Sequence, residues 1–480
     1  MRCAVLRIPA ERRGRFIASR AVALALLIAL YGVWHGAPRF ESLLQAQGES
    51  RVITTAHLIA VADGKADATA TLQKLIDSGK GEIQLPKGVY RLTGSLVVDL
   101  DRVGFTSISG GGVARLVMEA AGPAIRIVGT HDGTAAPHTV KDNVWDRQRT
   151  PLVDAIEIVG AHPEATGIEL LKTMQPTLTR LTIRHCLHAV HIVTRNRNVQ
   201  ISDCHLYENR GVGVYMDGVN LHQINVVGCH ISYNDGGGIV CRASEIRNLQ
   251  IAGCDIEGNM SPDTEPTANV LLDCRNGSVR EGAVVGCTIQ HNHDSPDSAN
   301  IRFLGKSTEE PQKVGNFCIS DNALSDVRVN IHLQHARGVT ITGNTIWKGF
   351  DYNLLAEDCS HLVIGPNLFD RNPDYRPPNS TNGLVFRDCS DSTITGLHVF
   401  HTLAGEAAIL LENCRWMNIS GCTILDSDGA GLLLRDCDRC SVTSCVVRDE
   451  REDADDAPSI HIEGGRHQLS GNMVTGGIVD

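Results

Sequence analysis

One six-residue phrase returns along the chain from about residue 199: an apolar residue, two mostly small or polar residues, Cys or Asn, any residue, then an apolar residue. It reads ISDCHL at 201–206, VVGCHI at 226–231, IAGCDI at 251–256 and VVGCTI at 284–289. ISDNAL (319–324), ITGNTI (341–346), VIGPNL (363–368), ITGLHV (394–399), ISGCTI (419–424), VTSCVV (442–447) and LSGNMV (469–474) carry it to the end. Most steps are 22–27 residues, and the longer ones, 31–35, hold insertions such as SPDTEPT at 261–267. A second phrase follows each first, for example GVGVYM (211–216), NVLLDC (269–274) and GLLLRDC (431–437). Apolar residues alternating in short runs between Gly and Asn are strands with one buried face, and no 3.6-residue period competes with them. Such a period with two or three short strands per repeat is a solenoid. Leucine-rich repeats have a similar length but a Leu-dense consensus, whereas this chain uses Val, Ile, Cys and Asn. The expectation is an all-β fold, a right-handed parallel β-helix over residues 55–480, with coils ~4.8 Å apart and equivalent residues in columns.

Two columns follow from the register. Five residues after successive Cys stand Asn209, Asn234, Asn259 and Asn292, an expected amide ladder that satisfies buried turn backbone. Cys204, Cys229, Cys254, Cys287, Cys422 and Cys445 form one thiol column, and Cys274, Cys359, Cys389, Cys414 and Cys437 another. Neither has zinc-finger spacing. Stacked residues point the same way, which is poor disulfide geometry, so these cysteines read as small buried hydrophobes.

Ahead of the repeats, residues 1–37 carry six Arg against one Glu, then the apolar run AVALALLIALYGVWHGA at 21–37. That is an export signal or an uncleaved signal anchor, followed by a linker over 38–54. The chain is therefore read as exported, periplasmic or extracellular, touching a membrane only through this segment. The whole chain has a formal charge of −11, so the part after the +5 leader is near −16. An acidic surface of this kind excludes nonspecific nucleic-acid binding.

Residues 61–98 form the entrance to the coil. Asp67 is placed to cap a short helix through Asp77, with Leu72, Leu75 and Ile76 on one face, covering the open end of the solenoid. The stretch carries Asp63-Gly64, Asp67-Ala68-Thr69, Gly81, Leu85-Pro86, Gly88 and Tyr90. It resembles the opening of the pectate-lyase-like superfamily, especially its branch with rhamnogalacturonase-like and epimerase-like β-helix domains; Ala68 departs from that family's double Asp. The resemblance implies lyase, hydrolase or epimerase action on polysaccharide, often of uronic acids. The family's Asn-Thr-Asp, paired-Asp and Gly-His-Gly set and its Asp-Pro-His-Asp motif are both missing, so it assigns no catalytic residue here.

Chemistry is therefore sought in the residues themselves. Residues 180–250 hold six His and seven Arg against five acids, a basic island suited to an anionic sugar chain. The residue after each stacked Cys faces outward, giving a line of His205, His230, Asp255 and Thr288, with Glu257 beside it. For β-elimination, His230 is the expected base, Asp255 orients it, and Arg210 or Arg242 neutralises the enolate-like charge. For hydrolysis, Asp255 with Glu257 or Asp273 is the nearest carboxylate pair. A metal held by His205, His230 and Asp255, or a divalent cation such as calcium, is the alternative cofactor reading. An insertion at 129–165 carries Trp145, placed to overhang a groove and stack on sugar. The functional expectation is an exported polysaccharide lyase or epimerase. The alternatives are a hydrolase of the same fold and a non-catalytic envelope or adhesion solenoid that binds glycans or protein partners.

Overall fold

The computed structural model describes residues 53–375, 380–454 and 456–480. The leader and nearly all of the 38–54 linker lie outside the described residues. Among those described, no helix is long and apolar enough to cross a membrane. The 42 strands join into one continuous ladder in which every pairing between named strands is parallel. This is the expected parallel β-helix.

Each coil visits three faces. The first carries three-residue strands such as His205–Tyr207, His230–Ser232, Asp255–Glu257 and Thr288–Gln290. The second carries longer ones, among them Ala165–Leu171, Gly237–Arg242 and Ala268–Asp273. The third includes Glu245–Ala252 and Ser278–Val285. The strands Val190–Ser202 and Val212–Val227 turn the corner from second face to third without interruption.

The recurring phrase is the corner from third face to first. Its third position adopts a left-handed backbone: φ is +61° at Gly228, +58° at Gly253 and +63° at Gly286, with Asp203 (+55°) and Asp321 (+57°) equivalent. Gly and Asp bear that conformation at lowest cost, which is why the position is small or polar. The Cys or Asn that follows points inward, and the apolar residues on either side fill the core. One interior file runs Ile183, Leu206, Ile231, Ile256, Ile289, Leu324, Ile346 and Phe369, each directly over the next and nearly inaccessible. Burying each such side chain stabilises the fold by about 1.5–3 kcal/mol.

The asparagine ladder is present, with one correction. Asn209 Nδ2 donates to Asn234 Oδ1 at 2.7 Å, and Asn234 Nδ2 to Asn259 Oδ1 at 2.7 Å. Asn259 then donates to Asn269 at 2.9 Å, and the file continues through Asn300, Asn330 and Asn353. Asn292 is outside it and donates instead to the carbonyls of Gly258 and Met260. The excursion at 258–267 carries the chain past the corner, so a residue beyond it takes the ladder position. The first Cys column likewise passes into a second amide ladder, Asn322, Asn344 and Asn367. In the phrase at 363–368 the stacked residue is therefore Asn367, not Pro366.

All fifteen described cysteines are free thiols, fourteen of them buried. Burial pushes the Cys186 thiol up to about 12, so it stays protonated and inert at neutral pH. Cys274 departs from its expected column. It directly follows Asp273, whereas Cys359, Cys389, Cys414 and Cys437 each come two residues after the matching strand position.

The entrance helix spans Thr69–Asp77 and buries Leu72, Leu75 and Ile76, with Asp67 Oδ1 accepting from the Thr69 N–H at 2.9 Å. A shorter helix, Thr55–Ala60, precedes it. The excursion expected over 129–165 is shorter than that, because the strand Leu152–Gly160 already pairs with its neighbours above and below.

Candidate functional site

The first-face column is assembled as its register requires. His205 pairs with His230 and His230 with Asp255, and the two imidazoles meet edge-on with ring centres 5.8 Å apart. His230 Nε2 lies 3.8 Å from Asp255 Oδ2 and 3.7 Å from Glu257 Oε1. His291, which the repeat pattern did not single out because it sits in the 291–298 excursion, places Nε2 3.7 Å from Glu257 Oε2. Gln290 Nε2 donates to that same oxygen at 3.2 Å. Burial, and next the Glu257 charge, raise the Asp255 carboxyl above its ordinary value. Among the described residues, no Lys or Arg reaches ion-pair distance of either carboxylate.

The other expected participants are elsewhere. Arg210 lies at the corner between first and second faces, where Nε donates to the Pro163 carbonyl at 3.1 Å and Nη2 to that of His162 at 2.6 Å. Arg242 and Asp273 are register partners on the second face. Trp145 sits in the helix Asp142–Arg147 at the corner between second and third faces. It packs on Val140, Val144 and Met174, with the Arg149 guanidinium 5.5 Å from its ring centre. The tryptophan is thus part of a satellite core and overhangs neither cluster. The first-face cluster has histidines and two carboxylates, but among the described residues no arginine pairs with either carboxylate there, and elimination needs one.

The second face holds a cluster that the sequence reading passed over. Outward positions form two columns: Glu169, His191, Tyr215, Val240 and Leu271 in one, and Leu171, Val193, Asp217, Arg242 and Asp273 in the other. His191 is clamped between carboxylates, its Nδ1 3.5 Å from Glu169 Oε2 and its Nε2 3.2 Å from Asp217 Oδ2. Glu169 is anchored in turn by Arg126 Nε at 2.6 Å. Burial pulls the His191 imidazole toward neutrality, but the bonds to Glu169 and Asp217 outweigh it, so its pKa lies above the ordinary histidine value. Tyr215 stacks on His191, with ring centres 5.4 Å apart and planes 13° apart. Burial followed by the Asp217 charge raises the pKa of its phenol, with the Arg242 charge acting the other way. The hydroxyl therefore keeps its proton at neutral pH. Among the described residues Arg242 has no carboxylate within ion-pair distance, and its neighbour Asp273 is taken by Arg275 through Nε at 2.9 Å and Nη2 at 2.6 Å. The signal for this site was the spacing: His191 and Tyr215 are 24 residues apart, one coil. Chain excursions border the second face on both edges, at 258–267 and 291–298 on one side and at 129–151 and 305–313 on the other.

His188 completes the cluster, its ring 4.9 Å from Tyr215 and 5.4 Å from His191. Its Nδ1 accepts from the Val212 N–H at 3.1 Å, and burial pushes its pKa down to about 4. His131, 1% exposed, is likewise pushed down to about 4 by burial. Both fold as neutral rings, so between their ordinary value near 6.5 and about 4 the unfolded chain binds more protons. Stability is expected to fall as pH drops through that window, by about 3 kcal/mol for each ring at pH 4. Urea midpoints measured from pH 7 to pH 4 check this, and His188→Gln is expected to show the shallower decline.

Comparisons with known proteins were made against this geometry. The family described as "Right handed beta helix region" matches residues 157–293. Tailspike protein 3 of bacteriophage CBA120 superposes with a TM-score of 0.50 at 14% identity, covering 96% of this chain and 69% of that one. These two likenesses show the fold, a right-handed parallel β-helix. This β-helix also matches, over residues 280–446, the family described as "Periplasmic copper-binding protein (NosD)". Lower-scoring likenesses include the A-module of mannuronan C-5 epimerase AlgE4 from Azotobacter vinelandii, at 13% identity, TM-score 0.40, and 88% and 96% coverage. Another is PfbA, a surface adhesin of Streptococcus pneumoniae, at 12% identity, TM-score 0.44, and 88% and 93% coverage. No curated protein sequence matches the β-helix.

Proposed function

We propose that this β-helix is an exported protein that acts on uronic-acid-containing polysaccharide as a lyase or epimerase, with the chemistry on its second face. The observation that carries the reading is Arg242, a guanidinium with no carboxylate partner among the described residues, one coil from Tyr215 and near a histidine clamped by two acids. A guanidinium in that position is matched by the carboxylate of a uronate residue. The entrance motif at 61–98 supports polysaccharide as the substrate class. The match over 280–446 to a family described as periplasmic supports export, in line with the leader expected at 1–37.

Arg242 pairs the uronate carboxylate and offsets the negative charge that develops there when the neighbouring C5 proton leaves. His191 takes that proton. In elimination the C5–H electron pair becomes a C4–C5 double bond while the C4–O4 bond breaks, and the Tyr215 hydroxyl supplies the proton to O4. In epimerisation the first step is the same and a proton returns to the other side of C5. Hydrolysis suits the cluster less well. Asp217 and Asp273 are two coils apart, roughly 10 Å, and Asp273 is occupied by Arg275. On this reading the first-face residues His205, His230, Asp255 and Glu257 do not carry the reaction.

The test is absorbance of the unsaturated product on a panel of uronate polymers, with wild type and Arg242→Gln. Lysis is expected with wild type on at least one polymer, and about a hundredfold lower kcat/KM in the variant. An unchanged Arg242→Gln rate overturns the site. Binding on a glycan array with no polymer modified favours the non-catalytic solenoid instead.

A further inference from the structure

The first face carries what the second does not: two carboxylates with no cationic partner. The remaining partners of Asp255 and Glu257 are His230, His291 and Gln290. Two acids held this close are a standing repulsion that the fold tolerates. The imidazoles do not relieve it through hydrogen bonds. Their nitrogens stand 3.7–3.8 Å from the carboxylate oxygens, outside hydrogen-bond range. Ligands each ~2.0–2.2 Å from a tetrahedral ion stand roughly 3.5 Å apart, and His230 Nε2 stands 3.8 Å and 3.7 Å from its two carboxylate neighbours. One ligand atom from each of His230, Asp255 and Glu257 lies within 4.8 Å of the other two.

We infer that this cluster is a site for a zinc-class divalent transition ion, with His230 Nε2, Asp255 and Glu257 as ligands. The donor set selects the class. Calcium and magnesium take oxygen ligands, whereas mixed imidazole and carboxylate donors suit zinc and its transition-series neighbours. The place in the fold gives the ion a structural task. Its ligands come from two successive coils, so binding ties one coil to the next beside the excursion that borders the second face. His205 is not a ligand, in contrast to the expected His205–His230–Asp255 set; its ring packs edge-on against His230 and holds it in place. The inference is independent of the proposed reaction, which uses other residues on another face.

The experiment uses full-length protein stripped with chelator, titrated calorimetrically with Zn2+ and with Ca2+, and spectroscopically with Co2+. One equivalent of Zn2+ is expected to bind and to raise Tm, with Ca2+ at least tenfold weaker. Co2+ is expected to show visible ligand-field bands without the intense thiolate band that binding at the cysteine columns would produce. Asp255→Asn and His230→Asn are each expected to weaken Zn2+ binding roughly tenfold or more, whereas His205→Ala stays within about threefold. The metal-free Tm of each variant, measured alongside, shows that it is folded, and the half-exposed Asp255 is the substitution least able to disturb packing. No saturable Zn2+ binding, a thiolate-type Co2+ spectrum, equal affinity for Ca2+, or unchanged binding in both ligand variants each overturns the site.

Discussion

Tyr215→Phe is expected to lower turnover on a uronate polymer between about a hundredfold and a thousandfold, the range for losing a positioned proton donor. The variant keeps the ring that stacks on His191 and packs beside His188, and loses only the hydroxyl. Folding and KM should therefore change little while kcat falls. A companion variant tests the base. The clamp of Glu169 and Asp217 holds the His191 pKa above its ordinary value, so the active neutral ring is lost as pH falls through that raised pKa. Glu169→Gln removes one of the two charges, which lowers the His191 pKa and moves the acidic limb of kcat/KM to lower pH. An acidic limb that stays in place, or moves upward, contradicts the assignment of His191 as base. A Tyr215→Phe enzyme with wild-type kcat removes the tyrosine from the mechanism.

Asn234→Ala is expected to destabilise the β-helix by about 3 kcal/mol, as large as truncating a core aliphatic residue. Asn234 is fully buried and serves two coils at once. Its amide donates to the Leu206 carbonyl at 3.0 Å and to Asn259 at 2.7 Å, while its oxygen accepts from the Asn209 backbone N–H at 3.2 Å and side chain at 2.7 Å. Alanine fills none of these roles, and buried partners left unsatisfied cost about 1–3 kcal/mol each. Asn292→Ala, off the ladder and partly exposed, is expected to cost about 1 kcal/mol. Denaturant midpoints of the two variants measure the contrast. Equal losses would mean that the ladder contributes no more than a surface turn.

The solenoid was legible in the sequence because its physics is strictly local. An inward residue must be apolar, and the corner before it must accept a left-handed φ, so Gly228, Gly253 and Gly286 recur with the coil. Insertions blur that reading. The 258–267 excursion passes the ladder from Asn259 to Asn269, and counting five residues from Cys287 reaches Asn292 instead. The candidate site was half legible for a related reason. Arg242 and Asp273 stand on the second face, away from His230, and a repeat spread over three faces does not announce which face a given strand lies on. His205, His230 and Asp255 were placed correctly because they directly follow the stacked cysteine. His191 and Tyr215 have no such marker, and their contact appears only when Val190–Ser202 is laid on Val212–Val227. Trp145 was misjudged because the excursion bearing it leaves from the corner between second and third faces and turns onto Met174.

Hydrogen exchange at C5 tests the central claim most directly, since elimination and epimerisation share its first step. Uronate polymers incubated with wild-type protein in deuterated water, then read by NMR, are expected to show either deuterium at C5 or unsaturated ends. Both should vanish with His191→Ala. Polymers that remain unchanged across all uronates, or change equally with His191→Ala, would mean that the second face does not perform this chemistry.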